Sequence, residues 1–539
     1  MFGNYLNIRL DKYAYPLIVP VLYLLMMSFF MTEHTLFEEW DGVLQLWAGR
    51  QILQGQEYAG WPSKFWPPLY PLLVGILDVF LEGHTAGKIV SFFSSFLMLI
   101  FTYGICKSLG CNEWYAILGQ FTLASIPLFM VSSIQVENHM LDSMLYVGSI
   151  YFMISYVENS SKNKIVLAGI FSGLACMTRY TSYSIILSVF LLYILYYTFK
   201  NNSNKEISGD VLKYALYFSV TSSVWWFFNM IENGSPIYNW NYLNIGAEVY
   251  PGGADEFWWH SQVFVSSTID IILKYPKEYL SNIYLNIIET ANLINNVKLV
   301  GVSAFISIPS ILYTIIDRRY QGLILFANVL VYVMVVSQAK VFGPIFLAWS
   351  AILTCTYIKS AQDYVLSSDV INYPISMVIL YLIPSVLFVF SINNTMDYVM
   401  EDNDYISKDK DVGLLTCRKK VTNRLKKFDE EIKNKTIMSV HPARAYYLGS
   451  NWMMFPTHYT GSATGLVEYK NLSKKVIEYA PKKPLSTEQH SLRSDYLIFD
   501  GKSKDYIPHL SFLSNPKSNK LPPSFSLVMK CKNVYVYDV

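Results

Sequence analysis

The chain has 539 residues, 53% of them hydrophobic and 15% charged, with 42 Lys and Arg against 40 Asp and Glu for a formal charge of +2. Soluble domains run at about 25% charged residues, so this composition excludes an ordinary soluble protein over most of the length. With no basic run and a near-neutral balance, nothing points to nucleic acid as a partner.

The polar deficit is local. Residues 13–391 are apolar runs broken by short polar gaps, while 393–539 reads as soluble sequence. Runs of ~20 apolar residues cross a bilayer as helices. The expected organisation is therefore an all-α polytopic membrane domain over 1–392, followed by a small α/β domain over 393–539. About eleven spans are expected, at 14–31, 87–106, 114–133, 138–157, 164–179, 181–199, 211–231, 299–316, 322–337, 341–358 and 373–391. The first has a short basic stretch before it and no small-x-small cleavage site, which reads as an uncleaved signal anchor.

Lys and Arg near span ends mark the cytoplasmic side. Arg9 and Lys12 put the N-terminus inside, and Lys107, Lys162 and Lys164, Lys200 to Lys213, Arg318 and Arg319, and Lys359 fall on inside loops in turn. An odd number of spans then puts 393–539 outside, in the periplasm or at the cell exterior, with a bacterial inner membrane as the expected location.

In chain order, the first outer loop holds EEWDGVLQLWAGRQILQG, residues 38–55. Val43, Leu44, Leu46, Trp47, Ile52 and Leu53 follow a helical period, but the segment is too polar to span. It is expected to lie along the interface. Glu38 and Glu39 suit the dipole of a helix start. Asp41, one turn into the helix beside Trp40, is placed as a general base or a ligand. FWPPLYPLL (65–73) begins another helix, since proline is tolerated in a first turn. Lys64 before it either snorkels to headgroups or serves a phosphate.

IQVENHMLD (134–142) brings Glu137, His139 and Asp142 into the fourth span, where ionisable groups are costly unless they meet a partner, a cavity or water. His139 and Asp142, three apart, are expected neighbours, as a structural pair or a catalytic one. MTRYTSY (177–183) sets Arg179 at the outer end of a helix with Tyr180 beside it; the guanidinium either pairs with a carboxylate or binds phosphate. The loop 232–298 interleaves aromatic and amide residues, as in NGSPIYNWNYLN, and then runs into an amphipathic surface stretch. Lys340 stands nearly alone between two spans on the outer face, a cation for a lipid-linked phosphate or for headgroups.

In the tail, LTCRKKVTNRLKKFDEEIKN (415–434) has an amphipathic helix pattern and short β-like runs follow it. No Gly-rich phosphate loop, nucleophile elbow or metal spacing is present, so its expected role is to cover the active face or to help bind an acceptor. Cys417 and Cys531 either form one disulfide, if the compartment is oxidising, or remain two thiols. The other four cysteines lie in or beside membrane segments.

Four segments carry a family resemblance: Asp41 with GVLQLWAGRQILQGQEY behind it, Phe65 with WPPLYPLL, Gly169 with IFSGLACMTRYTSYSII, and Asn233 with GSPIYNWNYLN. Their order resembles the GT-C glycosyltransferases, family 39-like, which include lipid A aminoarabinose transferases and protein O-mannosyltransferases. Gly42 follows Asp41 where the family often carries Glu. The resemblance implies a membrane glycosyltransferase that moves a sugar from a polyprenyl-phosphate-linked donor to a glycan, lipid or protein acceptor, in one inverting displacement. It implies Asp41 as the catalytic base and Arg179, Lys340 and Lys64 at the donor phosphate. Glu137, His139, Asp142 and Tyr180 would then shape the acceptor side or hold a metal. The fold includes metal-dependent and metal-independent enzymes, so a divalent cation, Mg or Mn, is a candidate cofactor. The competing readings are a lipid or amphiphile transporter or flippase, and a non-catalytic membrane scaffold. A transporter is expected to place charges at the bilayer midplane and to show inverted repeats, whereas these charges gather on one face.

Overall fold

The structure is a computed structural model. It describes residues 14–30, 40–53, 65–81, 83–159, 162–186, 204–252, 265, 267–295, scattered positions between 352 and 363, and 412–538 with internal breaks. The expected spans at 299–316, 322–337 and 373–391 lie outside the described residues, as do nearly all of 341–358 and most of 181–199. The same holds for Glu38, Glu39, Lys64 and Lys340.

The chain divides into two compact units. One comprises Met1–Thr35, Ala48–Asn239 and Ile283–Val399; the other comprises Leu36–Trp47, Trp240–Asn282 and Met400–Val539. The second unit thus adds two earlier segments to the tail, and the division is not the contiguous one expected at 392.

The first unit is helical. In chain order it contains α1 (Tyr15–Phe30), the second half of α2 (Trp40–Leu53), α3 (Leu69–Asp78), α4 (Gly83–Ser108), α5 (Glu113–Ala124), α6 (Pro127–Ile134), α7 (His139–Asn159), α8 (Lys162–Cys176) and α9 (Asn204–Asn233). Among the described residues, α4 alone is long and apolar enough to cross a membrane by itself. The segment expected as one span over 114–133 is instead α5 and α6, bent by 67°. The cause is local: Pro127 sits at the first turn of α6, where its missing N–H is tolerated but the preceding helix cannot run through it. α7 packs on α4 and α8, and α8 packs on α9. Small residues allow these approaches. A Cβ on Gly169 would stand 2.7 Å from the Tyr214 carbonyl oxygen, and one on Gly173 would stand 3.0 Å from that of Phe218.

Gly42 to Leu46, Ala48 and Gly49 of α2 are all buried, Gln45 included, so the helix packs in protein along most of its length. Two contacts hold its second half within the first unit. Gly49 meets Gly75 of α3 backbone to backbone, where a Cβ on Gly75 would stand 2.5 Å from the Gly49 carbonyl oxygen. Arg50 Nε then reaches Asp78 Oδ2 at 2.5 Å. Gly75→Ala is expected to cost about 1–3 kcal/mol as an overpacked contact. Gly209→Ala, at a helical glycine with nothing within 4 Å, should be neutral or stabilising. Thermal melts of the two purified variants check the pair.

The second unit is α/β. α10 (Asn241–Val249), α11 (Thr268–Lys274) and the start of α12 (Pro276–Asn295) come from the long loop. The tail contributes α13 (Val412–Phe428), β1 (Thr436–Ser439), α14 (Ala443–Leu448), β2 (Asn451–Met453), β3 (Ile477–Glu478), β4 (Ser491–Leu492), β5 (Tyr496–Phe499), β6 (Ser526–Cys531) and β7 (Val534–Asp538). Five strands form a mixed sheet in the order β2-β1-β5-β7-β6, with β2, β1 and β5 parallel and β7 antiparallel to both its neighbours. β3 and β4 pair separately. The apolar stripe of α13, Cys417, Val421 and Leu425, repeats every four residues and packs on Ile437, Ile498 and Val536 of the sheet; Trp47 of α2 joins this core.

Cys417 and Cys531 form a disulfide that closes 114 residues of chain. Beside it, Arg418 and Arg444 both bond the Asp500 carboxylate, at 2.8 and 3.3 Å. Burial works against that charge, but the two guanidiniums and Ser503 hold the Asp500 carboxyl down at about 2.

Candidate active site

The site is organised by the turn that follows α8. The helix stops at Cys176, and Arg179 is extended (φ −146°, ψ 141°), so the chain leaves the helix before entering a 3₁₀ turn at Tyr180–Tyr183. Every side of this turn is tied to another part of the first unit. The Leu69 N–H, opening α3, donates to the Met177 carbonyl at 2.9 Å. Asn138 Nδ2, just before α7, donates to the Thr178 carbonyl at 3.2 Å. Ser182 Oγ donates to Asp142 Oδ1 in α7. From α9, Trp226 Nε1 donates to Tyr183 Oη at 2.6 Å and Asn229 Nδ2 to Tyr180 Oη at 3.2 Å. Tyr180 also packs against Trp225 and against Ala48 of α2, with Ile52 beside them.

These contacts account for much of the sequence pattern. In the first segment, Ala48, Gly49 and Ile52 are packing residues that set α2 on the turn and on α3. In the third, Gly169 and Gly173 let α8 approach α9. In the fourth, Gly234 has φ +73° at the end of α9, a backbone region where a Cβ is strained.

Asp142 is 1% exposed. A carboxylate so enclosed needs compensation, which Ser182 supplies directly and Arg179 supplies by charge at longer range. The expected His139–Asp142 pair is not what forms. His139 Nδ1 instead lies 3.3 Å from Glu137 Oε2. The reason is that α7 begins at His139, so its ring turns back onto the preceding loop rather than up the helix. Arg179 is partly buried and acts electrostatically on both Asp142 and His139, yet among the described residues its guanidinium makes no hydrogen bond or ion pair. Of the two readings open to it, pairing with a carboxylate is therefore not realised there.

Asp41 lies in the first turn of α2 rather than one turn into it, because the helix begins at Trp40. Its side chain is exposed. The helix-dipole argument offered for Glu38 and Glu39 thus applies to Asp41 itself. Sequence reading missed Asn138, Ser182, Trp225 and Asn229, which carry no charge to mark them. It also missed Lys88, 5% exposed in the second turn of α4. Among the described residues no three His, Cys, Asp or Glu side chains could hold a metal ion. Glu137, His139 and Asp142 do not converge, since the first two pair with each other and the third faces Ser182.

Comparison with known proteins bears on the fold. Residues 66–227 match the model of the dolichyl-phosphate-mannose-protein mannosyltransferases. No curated protein matches the sequence. In structure, the chain resembles ArnT from Cupriavidus metallidurans bound to undecaprenyl phosphate, with a TM-score of 0.60 at 10% identity over 96% of this chain and 97% of that one. It also resembles the oligosaccharyltransferase AglB from Archaeoglobus fulgidus in complex with an inhibitory peptide and a dolichol-phosphate, with a TM-score of 0.55 at 14% identity over 91% and 70% of the two chains. A complex of the Archaeoglobus fulgidus oligosaccharyltransferase with Zn and sulfate matches equally well, at 14% identity over 89% and 68%. The fold is that of the GT-C membrane enzymes. Residues 66–227 thus resemble the mannosyltransferases, and the fold is shared with ArnT and the oligosaccharyltransferase.

Proposed function

We propose that the enzyme transfers a sugar from a polyprenyl-phosphate carrier to an acceptor hydroxyl on the extracytoplasmic face, with inversion. Asp41 takes the acceptor proton as the hydroxyl oxygen attacks the anomeric carbon. The bond from that carbon to the phosphate oxygen breaks, and the polyprenyl phosphate leaves as an anion. Arg179 receives that anion, with Lys64 and Lys340 as the further cations. Glu137, His139, Asp142 and Tyr180 support the acceptor side. The carriers bound by ArnT and AglB, undecaprenyl phosphate and dolichol-phosphate, support a donor of this class.

The observation that carries the reading is the guanidinium of Arg179, partly buried at the outer end of α8 and without a carboxylate partner among the described residues. The disulfide of the tail supports the extracytoplasmic side. So does the make-up of the second unit, which needs Leu36–Trp47, Trp240–Asn282 and the tail on one side of the membrane.

Arg179→Gln tests the assignment. A charged hydrogen bond is worth about 1.5–3 kcal/mol, so the KM for an undecaprenyl-phosphate-linked sugar should rise on the order of 10- to 100-fold. Lys340→Ala should raise it in the same direction. A KM unchanged in Arg179→Gln sinks the phosphate role.

A further inference from the structure

We infer that Asn229 is a positioning residue for the donor: its carboxamide clips the loop after α9 to the Arg179–Tyr180 turn, and so fixes where the guanidinium stands. The inference rests on the phosphate reading of Arg179.

Asn229 is fully buried near the end of α9. Its Nδ2 donates to Tyr180 Oη at 3.2 Å, to the Pro236 carbonyl at 3.3 Å and to the Tyr238 carbonyl at 3.2 Å. Its Oδ1 accepts from Asn233 Nδ2 at 2.9 Å. Two N–H groups therefore serve three acceptors, and one is shared. Only an amide offers donors and an acceptor together at this reach; Asp has no donor, and Ala has neither. The loop needs such a clip. At Gly234 (φ +73°) the chain turns back from α9, and the Pro236 and Tyr238 carbonyls then point at the helix. A buried carbonyl without a partner costs about 1–3 kcal/mol, so losing the amide should release the loop.

On the other side of the amide stands Tyr180, next in sequence to Arg179. Its ring is already set by Trp225, with centroids 6.4 Å apart, and by Tyr183, stacked at 6.4 Å. Trp226 fixes Tyr183 in turn. The rings give the turn its place, while the Asn229 bond couples it to the loop. A pure packing role would affect how much enzyme survives. A positioning role affects how well the surviving enzyme holds its donor.

The experiment uses the full chain in lipid nanodiscs with an undecaprenyl-phosphate-linked sugar. Asn229→Ala is expected to raise the donor KM about tenfold while kcat changes less than threefold. Amide exchange should rise together in 177–183 and 234–240, and Asn229→Gln should restore part of the KM. If the surviving Asn229→Ala enzyme keeps its donor KM, the inference is overturned. If that variant does not fold, Tyr180→Phe takes its place, since it removes one acceptor and keeps the ring. It should raise exchange in 177–183 and donor KM, while the two loop carbonyls keep both N–H groups, and no change in either overturns the clip. Adding Asn229→Ala to Arg179→Gln separates the two readings. Less than a twofold further rise in KM is expected if the clip acts through the guanidinium, and a full tenfold rise overturns that route. An Arg179→Gln enzyme with normal KM defeats the phosphate reading alone, while the exchange data still decide whether the clip exists.

Discussion

Replacing Asp41 by Asn is expected to lower transfer by 10²–10⁴-fold, the range a positioned general base contributes. The substitution keeps the shape and replaces one basic carboxylate oxygen by an NH2 donor, which cannot take a proton. Asp41 is exposed in the first turn of α2, so no buried charge is disturbed and the melting temperature should hold. The measurement is the single-turnover rate at saturating donor and acceptor. Near-normal turnover would falsify the base assignment and leave Asp41 as a helix-start acid.

The second large effect concerns the tail. Replacing Cys417 and Cys531 by Ser should remove up to about 5 kcal/mol of chain-entropy stabilisation, because the bond closes a loop of 114 residues. The bond joins α13 to the edge strand β6, next to the Arg418–Asp500–Arg444 cluster. Limited proteolysis of the full chain should show new cuts within 412–538 in the double variant and in reduced wild type. Unchanged protection in both would show that the sheet and the ion cluster hold the tail without the bond.

The helical class and the position of the α/β tail were legible in the sequence because they depend on averages: apolar run length, charge depletion and the alternation of short β-like runs. Features that depend on one residue's long-range neighbour were not. The 67° bend after α5 was legible in principle, since Pro127 was in view, but an apolar run reads as one helix until its backbone is followed. The four motif segments were visible as a pattern while their cause was hidden. Ala48, Gly49, Gly169 and Gly173 are small so that helices can touch, and no single segment shows what it touches. For His139, the spacing rule assumed that the helix had already begun. Asn229 was missed because an amide near a span end looks like an ordinary solvated terminus, and its three acceptors lie in segments with no sequence cue to bring them together.

The second unit is stitched from Leu36–Trp47, Trp240–Asn282 and Met400–Val539. A ribosome makes these pieces far apart in time. At 5–20 residues per second, the segment bearing Asp41 waits on the order of tens of seconds for its last companion strands. Biogenesis therefore has an order: the early pieces of the second unit stay unassembled until the tail has been made, and the unit closes only then. A nonsense mutation shortly after Val399 would yield a protein that inserts and is retained but never completes the segment around Asp41. In a genetic screen, late truncations should thus be as null as early ones, and the tail should behave as a clasp on the enzyme rather than as a detachable appendage.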